Sequence, residues 1–129
     1  MPADSDRTAA NGDGEKAPLD AAMAAFRDRA RVTNLDRVAV IEEALVHLYG
    51  GVLPEDARLT ARRAAHSLVG SAGTFGMREA SELGRSLEAI LDEAGSAGVP
   101  TVQAGDGLEL VTRLRKALGG SNGPDRPPS

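Results

Sequence analysis

From Leu35 to Leu118 the apolar residues recur at alternating steps of three and four, and no stretch alternates at two. That spacing returns side chains to one face of an α-helix and to no face of a strand. β-branched residues are few, which removes the other support for a sheet. A chain patterned this way buries its apolar surface by packing helix against helix. The first stretch begins near Leu19 and carries Met23, Phe26 and Ala30; the second carries Leu35, Val38, Ile41, Leu45 and Leu48 and stops at Gly50-Gly51. Thr33-Asn34 is a weak break, so Leu19–Leu48 reads as one helix or two. The third begins around Pro54, a residue favoured in a first helical turn, and repeats Ala61, Ala65, Leu68, Ala72 and Phe75. The fourth runs from about Met77 through Ala80, Leu83, Leu87, Ile90 and Ala94 to Gly95. The last is expected to start at Asp106, with Glu109 reaching back in a capping box. Its stripe is Leu108, Val111, Leu114 and Leu118, and Gly105 and Gly107 read as loop or helix end. The expected fold is all-α: an antiparallel up-down four-helix bundle with an additional N-terminal helix.

Composition narrows the function. The chain has 129 residues, room for one domain. The polar, small ends, 1–17 and 119–129, are expected to be disordered tails around a bundle at 18–118. With no cysteine, disulfides, thiolate catalysis and thiolate-bound zinc are excluded. No apolar run approaches a transmembrane length, and the acidic start Met1-Pro2-Ala3-Asp4-Ser5-Asp6 lacks the core of a signal peptide. A net charge of −4 with 2% aromatic residues supplies neither phosphate neutralisation nor stacking platforms for nucleic acid. A cytoplasmic, monomeric, stand-alone protein without membrane or nucleic-acid partners is expected.

The third helix has a second face. On a wheel of 100° per residue, Ala61, Ala65, Leu68, Ala72 and Phe75 cluster, and His66, Gly70 and Gly73 lie roughly 150° away. A glycine inside a helix costs about 1 kcal/mol against alanine, and solubility does not require one there. Bare backbone beside a histidine suggests close approach of another molecule. An exposed histidine is also most often an ordinary surface residue, and the wheel alone leaves both readings open. Gly76 reads as the end of the helix. His47, in the last turn before Gly50-Gly51, complements a helix C-terminus and is assigned no function.

Ala65-His66-Ser67-Leu68-Val69-Gly70-Ser71-Ala72-Gly73-Thr74-Phe75-Gly76 resembles the signature of histidine-containing phosphotransfer (HPt) domains, roughly Ala-His-x-Leu-Lys-Gly-x-Ala-x-x-Phe-Gly followed by a helix ending in Leu-Glu, here Leu87-Glu88. The likeness is densest over Arg62–Glu88, with a buried phenylalanine in register, and the helical layout extends it over about residues 19–118. The resemblance implies a four-helix bundle, often with an extra N-terminal helix. It implies a phosphorelay carrier without autokinase activity, in which His66 takes a phosphoryl group from a receiver-domain aspartate or a sensor histidine kinase and passes it on. The carrier itself needs no cofactor, and the magnesium of the reaction would belong to the receiver partner. Gly70 and Gly73, with Arg62, Arg63 and Val69, would form the docking surface.

Glu88 can lean back along the facing helix and fix one ring nitrogen of His66, leaving the other as nucleophile; a solvated glutamate is the competing reading. The family's usual lysine three residues after the histidine is Val69 here. Arg85, on the facing helix, is the candidate to supply the missing positive charge; the alternative is that Val69 widens an apolar docking patch. Two other functions stay open: a pseudo-HPt module that binds a receiver domain without transfer, and a helical adaptor or dimerisation module for which His66 is incidental. His66 and Glu88 are too few to hold a metal.

Overall fold

The alternation of three and four becomes four helices: α1 (Asp4–Tyr49), α2 (Glu55–Thr74), α3 (Arg78–Ala94) and α4 (Thr101–Leu118). The computed structural model describes residues 4–95 and 101–119, and of 4–16 and 101 only the backbone. No strand occurs among the described residues. The readings of 1–3 and 120–129 as tails lie outside them, while the helical backbone starts at Asp4, upstream of the expected start at Leu19.

The chain divides into two units, residues 1–30 and 31–129. In the first, Leu19, Met23 and Phe26 are exposed, so the apolar stripe read there is not a core face. Arg29 caps one side of it, its guanidinium 5.8 Å from the Phe26 ring centroid.

The weak break at Thr33-Asn34 is not a break. Asn34 is 1% exposed, and its side chain does not compete for its own backbone as asparagine commonly does. Its amide nitrogen donates to Ser71 Oγ (3.0 Å), and its oxygen accepts from Arg37 Nη1 (2.8 Å). With that side chain spent on α2, the backbone stays helical, and both stretches belong to α1. A separate additional N-terminal helix is therefore not present among the described residues.

In the second unit the core is Val38, Ile41, Ala44 and Leu45 of α1; Ala61, Ala65, Leu68 and Ala72 of α2; Ala80, Leu83, Leu87, Ile90 and Leu91 of α3; and Val111, Leu114 and Leu118 of α4. α1 and α2 end alike: Gly51 (φ 93°) and Gly76 (φ 73°) take the left-handed conformation that glycine adopts freely. The next amide in each case, Val52 or Met77, donates back to His47 O or Ala72 O, the Schellman closure.

α4 starts at Thr101, five residues before its expected start at Asp106. Ala104 is fully buried, and Gln103 donates to Glu93 at 3.2 Å; that packing extends the helix upstream of the capping-box pair. Gly105 and Gly107 consequently lie inside it. A Cβ on Gly107 would meet Leu45 Cδ2 at 3.1 Å and Ile90 Cδ1 at 3.5 Å, so the missing side chain lets α4 seat against α1 and α3.

Polar ties fix the register. Arg58 donates to both Glu55 oxygens (2.9 and 2.6 Å) and to the Leu91 carbonyl (3.0 Å). Arg115 Nη2 donates to Glu42 Oε1 at 2.6 Å, joining α4 to α1. That hydrogen bond, helped by the guanidinium charge and opposed by burial, holds the Glu42 carboxyl below its ordinary range. The folded value is depressed, so the pair's stabilisation is complete above the ordinary glutamate range and is lost as pH falls through the lowered value. Both groups are partly exposed, which keeps the contribution under about 1 kcal/mol. Glu42→Gln should lower the urea midpoint slightly at neutral pH and leave it unchanged at pH 2–3, measured by circular dichroism at both pH values.

Candidate functional site

α2 is pinned by one face and free on the other. Ala61, Ala65, Leu68 and Ala72 are each 0% exposed, which turns His66 outward with its side chain 75% exposed. α3 runs antiparallel to α2: Arg58 and Arg62 meet Leu91 and Asp92, His66 meets Glu88 and Val69 meets Ser81, so later positions of α2 face earlier positions of α3.

What brings α3 so near is Gly84. A Cβ there would lie 2.8 Å from Val69 Cγ2, 3.1 Å from Leu68 Cδ2 and 3.8 Å from the Ala65 carbonyl oxygen. Gly84 is buried, one turn before Glu88, and its bareness is what allows the two backbones to close. Ser81 Oγ donates to the Val69 carbonyl at 3.2 Å across the same seam.

At this separation Glu88 Oε2 sits 3.0 Å from His66 Nδ1, with the Glu88 side chain 22% exposed. A carboxylate only accepts, so Nδ1 carries the hydrogen and donates it. In the neutral ring Nε2 then keeps its lone pair. Nε2 lies across the ring from Glu88, on an exposed side chain. The arrangement presents an oriented nitrogen nucleophile on an open surface.

The other residues singled out in the sequence fall in distinct places. Gly70 belongs to the exposed stripe, and a Cβ on it would meet nothing within 4 Å. Gly73 is exposed as well, with Ser81 Oγ 3.9 Å from where its Cβ would be. Val69 is half-buried with one methyl over Gly84, so it belongs to the helix seam rather than to a projecting apolar patch. Arg62 is paired with Asp92 of α3, Nε to Oδ1 2.9 Å, while Arg63 is exposed. Arg85 is exposed and lines a groove with Gly73, Gly76, Arg78 and Ser81. Phe75 is half-buried at the C-cap of α2 rather than fully enclosed. His47 lines a different, apolar concavity with Val40, Ala44, Val52 and Ala57.

Gly84 stands one turn before Glu88 in the sequence, and that spacing alone does not say what it does. The signal was available: Ala80, Gly84, Leu87 and Leu91 share one stripe, all buried, and a helix-interior glycine on an apolar stripe marks a close crossing. Among the described residues no group of three His, Asp or Glu is placed to hold a metal ion, and no helix is long and apolar enough to cross a membrane.

Set against known protein families, the chain matches the Hpt domain over residues 23–121. It belongs to the Hpt domain family. A phosphotransfer-type role in two-component signalling follows from that membership, as does the family's general dealing with receiver domains and histidine kinases. Comparisons with curated proteins and with solved structures return no match. The match takes in α2 and α3 whole, so the His66–Glu88 pair lies inside the Hpt domain.

Two glycines separate packing from openness. Gly70→Ala should stabilise the fold by about 1 kcal/mol, the gain expected of alanine in an open helical position. Gly84→Ala should instead destabilise it by about 1–3 kcal/mol through overpacking, and combining it with Val69→Ala should recover much of that loss. Urea midpoints of the three variants against the unmodified chain test this; equal gains at Gly70 and Gly84 would show that the helices do not meet as described.

Proposed function

We propose that this Hpt domain carries a phosphoryl group on His66, to or from a receiver-domain aspartate. The observation that carries the reading is the 3.0 Å hydrogen bond from Nδ1 to Glu88 on a ring whose side chain is 75% exposed. An oriented, solvent-facing imidazole is what a transfer between two proteins requires. Phosphoryl transfer passes through a loose, nearly in-line transition state and depends on positioning and charge compensation. The Nε2 lone pair attacks phosphorus, the bond from phosphorus to the aspartyl oxygen breaks, and the carboxylate leaves with its electron pair. The phosphorylated ring retains the Nδ1 hydrogen and gains positive charge, which Glu88 balances. Delivery to a second receiver is the reverse reaction.

Space and charge complete the reading. Gly70 leaves open backbone one turn from His66, where a large side chain would hold a partner away; Gly73 and Arg63 border the same face. Arg62, tied to Asp92, would form the edge of this surface. Valine at position 69 cannot neutralise the phosphoryl oxygens, and Arg85 is the residue of α3 that would do so by charge-assisted hydrogen bonds. The magnesium ion and the acidic residues that hold it belong to the receiver, so the domain itself uses no cofactor. It works in the cytoplasm as a monomer, without autokinase activity.

The absence of the family's lysine favours a second reading, a pseudo-HPt that binds a receiver domain without transfer. The two separate in one assay. Incubated with a phosphorylated receiver domain, the protein should acquire acid-labile, alkali-stable phosphate, and His66→Gln should abolish it. Binding retained with no phosphate gained by the unmodified chain would establish the pseudo-carrier. Neither binding nor transfer would leave a helical adaptor.

Arg85→Ala should slow transfer by about ten- to a hundredfold, the scale of one lost charge-assisted contact in a transition state, and shorten the phosphohistidine lifetime. Rapid-quench kinetics would show it, and unchanged values would remove Arg85 from the chemistry.

A further inference from the structure

The face that carries His66 continues towards the α2–α3 turn as a groove of about 290 Å³, lined by Gly73, Gly76, Arg78, Ser81 and Arg85. Its α2 side is bare backbone: a Cβ on Gly76 would meet nothing within 4 Å, and one on Gly73 only Ser81 Oγ at 3.9 Å. Its α3 side is the stripe Arg78, Ser81, Arg85. The two arginines are seven residues apart, about 10 Å along the helix axis.

Neither guanidinium has an acidic partner among the described residues. Two other arginines of the hairpin are treated differently. Arg58 is held by Glu55 and Arg62 by Asp92. Glu79 and Glu82 of α3 are exposed and make no ion pair with either arginine, although Glu82 stands within one turn of both. Ser81 Oγ is already committed to the Val69 carbonyl. In a chain of net charge −4, two cations without an acidic partner among the described residues face an open concavity and serve no contact there.

We propose that this groove is an electrostatic docking site for an acidic segment of the protein partner, separate from the phosphoryl acceptor, with Arg78 as its anchor. A carboxylate of the partner pairs with Arg78 at the end of the groove nearer the α2–α3 turn, about 10 Å along α3 from Arg85, which leaves Arg85 to the phosphoryl oxygens at the His66 end during transfer. Side chains rooted about 10 Å apart along α3 suit an extended acidic segment better than a single small anion. Only the partner's identity as a receiver domain rests on the carrier reading; the complementary chemistry does not. Rim charges of this kind act chiefly on encounter rate and weaken with salt.

The full chain, labelled with ¹⁵N, should be titrated with an acetylated, amidated peptide Asp-Glu-Asp-Asp-Glu, with its Asn/Gln counterpart and with inorganic phosphate. The acidic peptide alone should shift the amides of Gly73, Gly76 and Ser81 and the Nε–H signals of Arg78 and Arg85. Arg78→Glu should weaken that binding about tenfold, and salt should weaken it further. Equal response to phosphate, no response, or shifts spread over the molecule would overturn the proposal. With a receiver domain that exchanges phosphate with the chain, Arg78→Glu should raise KM about tenfold and leave kcat unchanged. A fall in kcat at constant KM would assign Arg78 to the chemistry and overturn its docking role. Peptide binding without phosphorylation of His66 upholds the groove and sinks the carrier reading; transfer without peptide binding does the opposite.

Discussion

Everything at the site depends on how closely α2 and α3 approach at Gly84. Glu88 can hold Nδ1 of His66 at 3.0 Å only because the backbone of α3 lies against Val69, Leu68 and Ala65 with no side chain between. A helix pair spaced by ordinary side chains stands 8–10 Å apart, and small residues at the crossing let it close further. The position that orders the chemistry is therefore a residue with no functional group, one turn away from the one that touches the ring. The ties at Arg58 and Arg62 hold the other end of the same pair, so the histidine is braced on both sides along the seam.

Much of the second unit was legible because its helices announce both faces and ends. The stripes of α2 and α3 were readable from spacing, and Pro54, Gly50-Gly51 and Gly76 mark boundaries by backbone chemistry that tolerates few alternatives. The misread boundaries, and the one left open at Thr33-Asn34, share a cause: each concerned a residue whose local preference was overruled by something distant in sequence. Asn34 prefers turns, yet its amide is spent on Ser71. Asp106 makes a good cap, yet burial of Ala104 draws the helix past it. Gly107 reads as a loop until Leu45 and Ile90 are seen to need its space. The stripe of Leu19, Met23 and Phe26 has the right period for a core, and periodicity cannot say whether another surface covers it.

The site was legible to a different degree. His66, Gly70 and Gly73 follow from the wheel, since exposure on a pinned helix is set by phase. The approach of Glu88 followed from antiparallel geometry and the lean of helical side chains. The ion pair of Arg62 and the inward methyl of Val69 did not, because the direction of a flanking side chain depends on the neighbouring helix and its distance. Arg78 drew no attention, since a charged residue in a first turn looks like ordinary solvation until the groove beside it is seen.

The histidine ring is fastened along one edge and bare along the other. Its hydrogen-bonded edge belongs to the rigid seam, and nothing in that seam touches Nε2. A group attached there would meet the seam only through the ring that Glu88 holds. On the proposed carrier reading, what sets the loaded form apart from the empty one is charge displayed at the surface, for a partner already seated within reach to read.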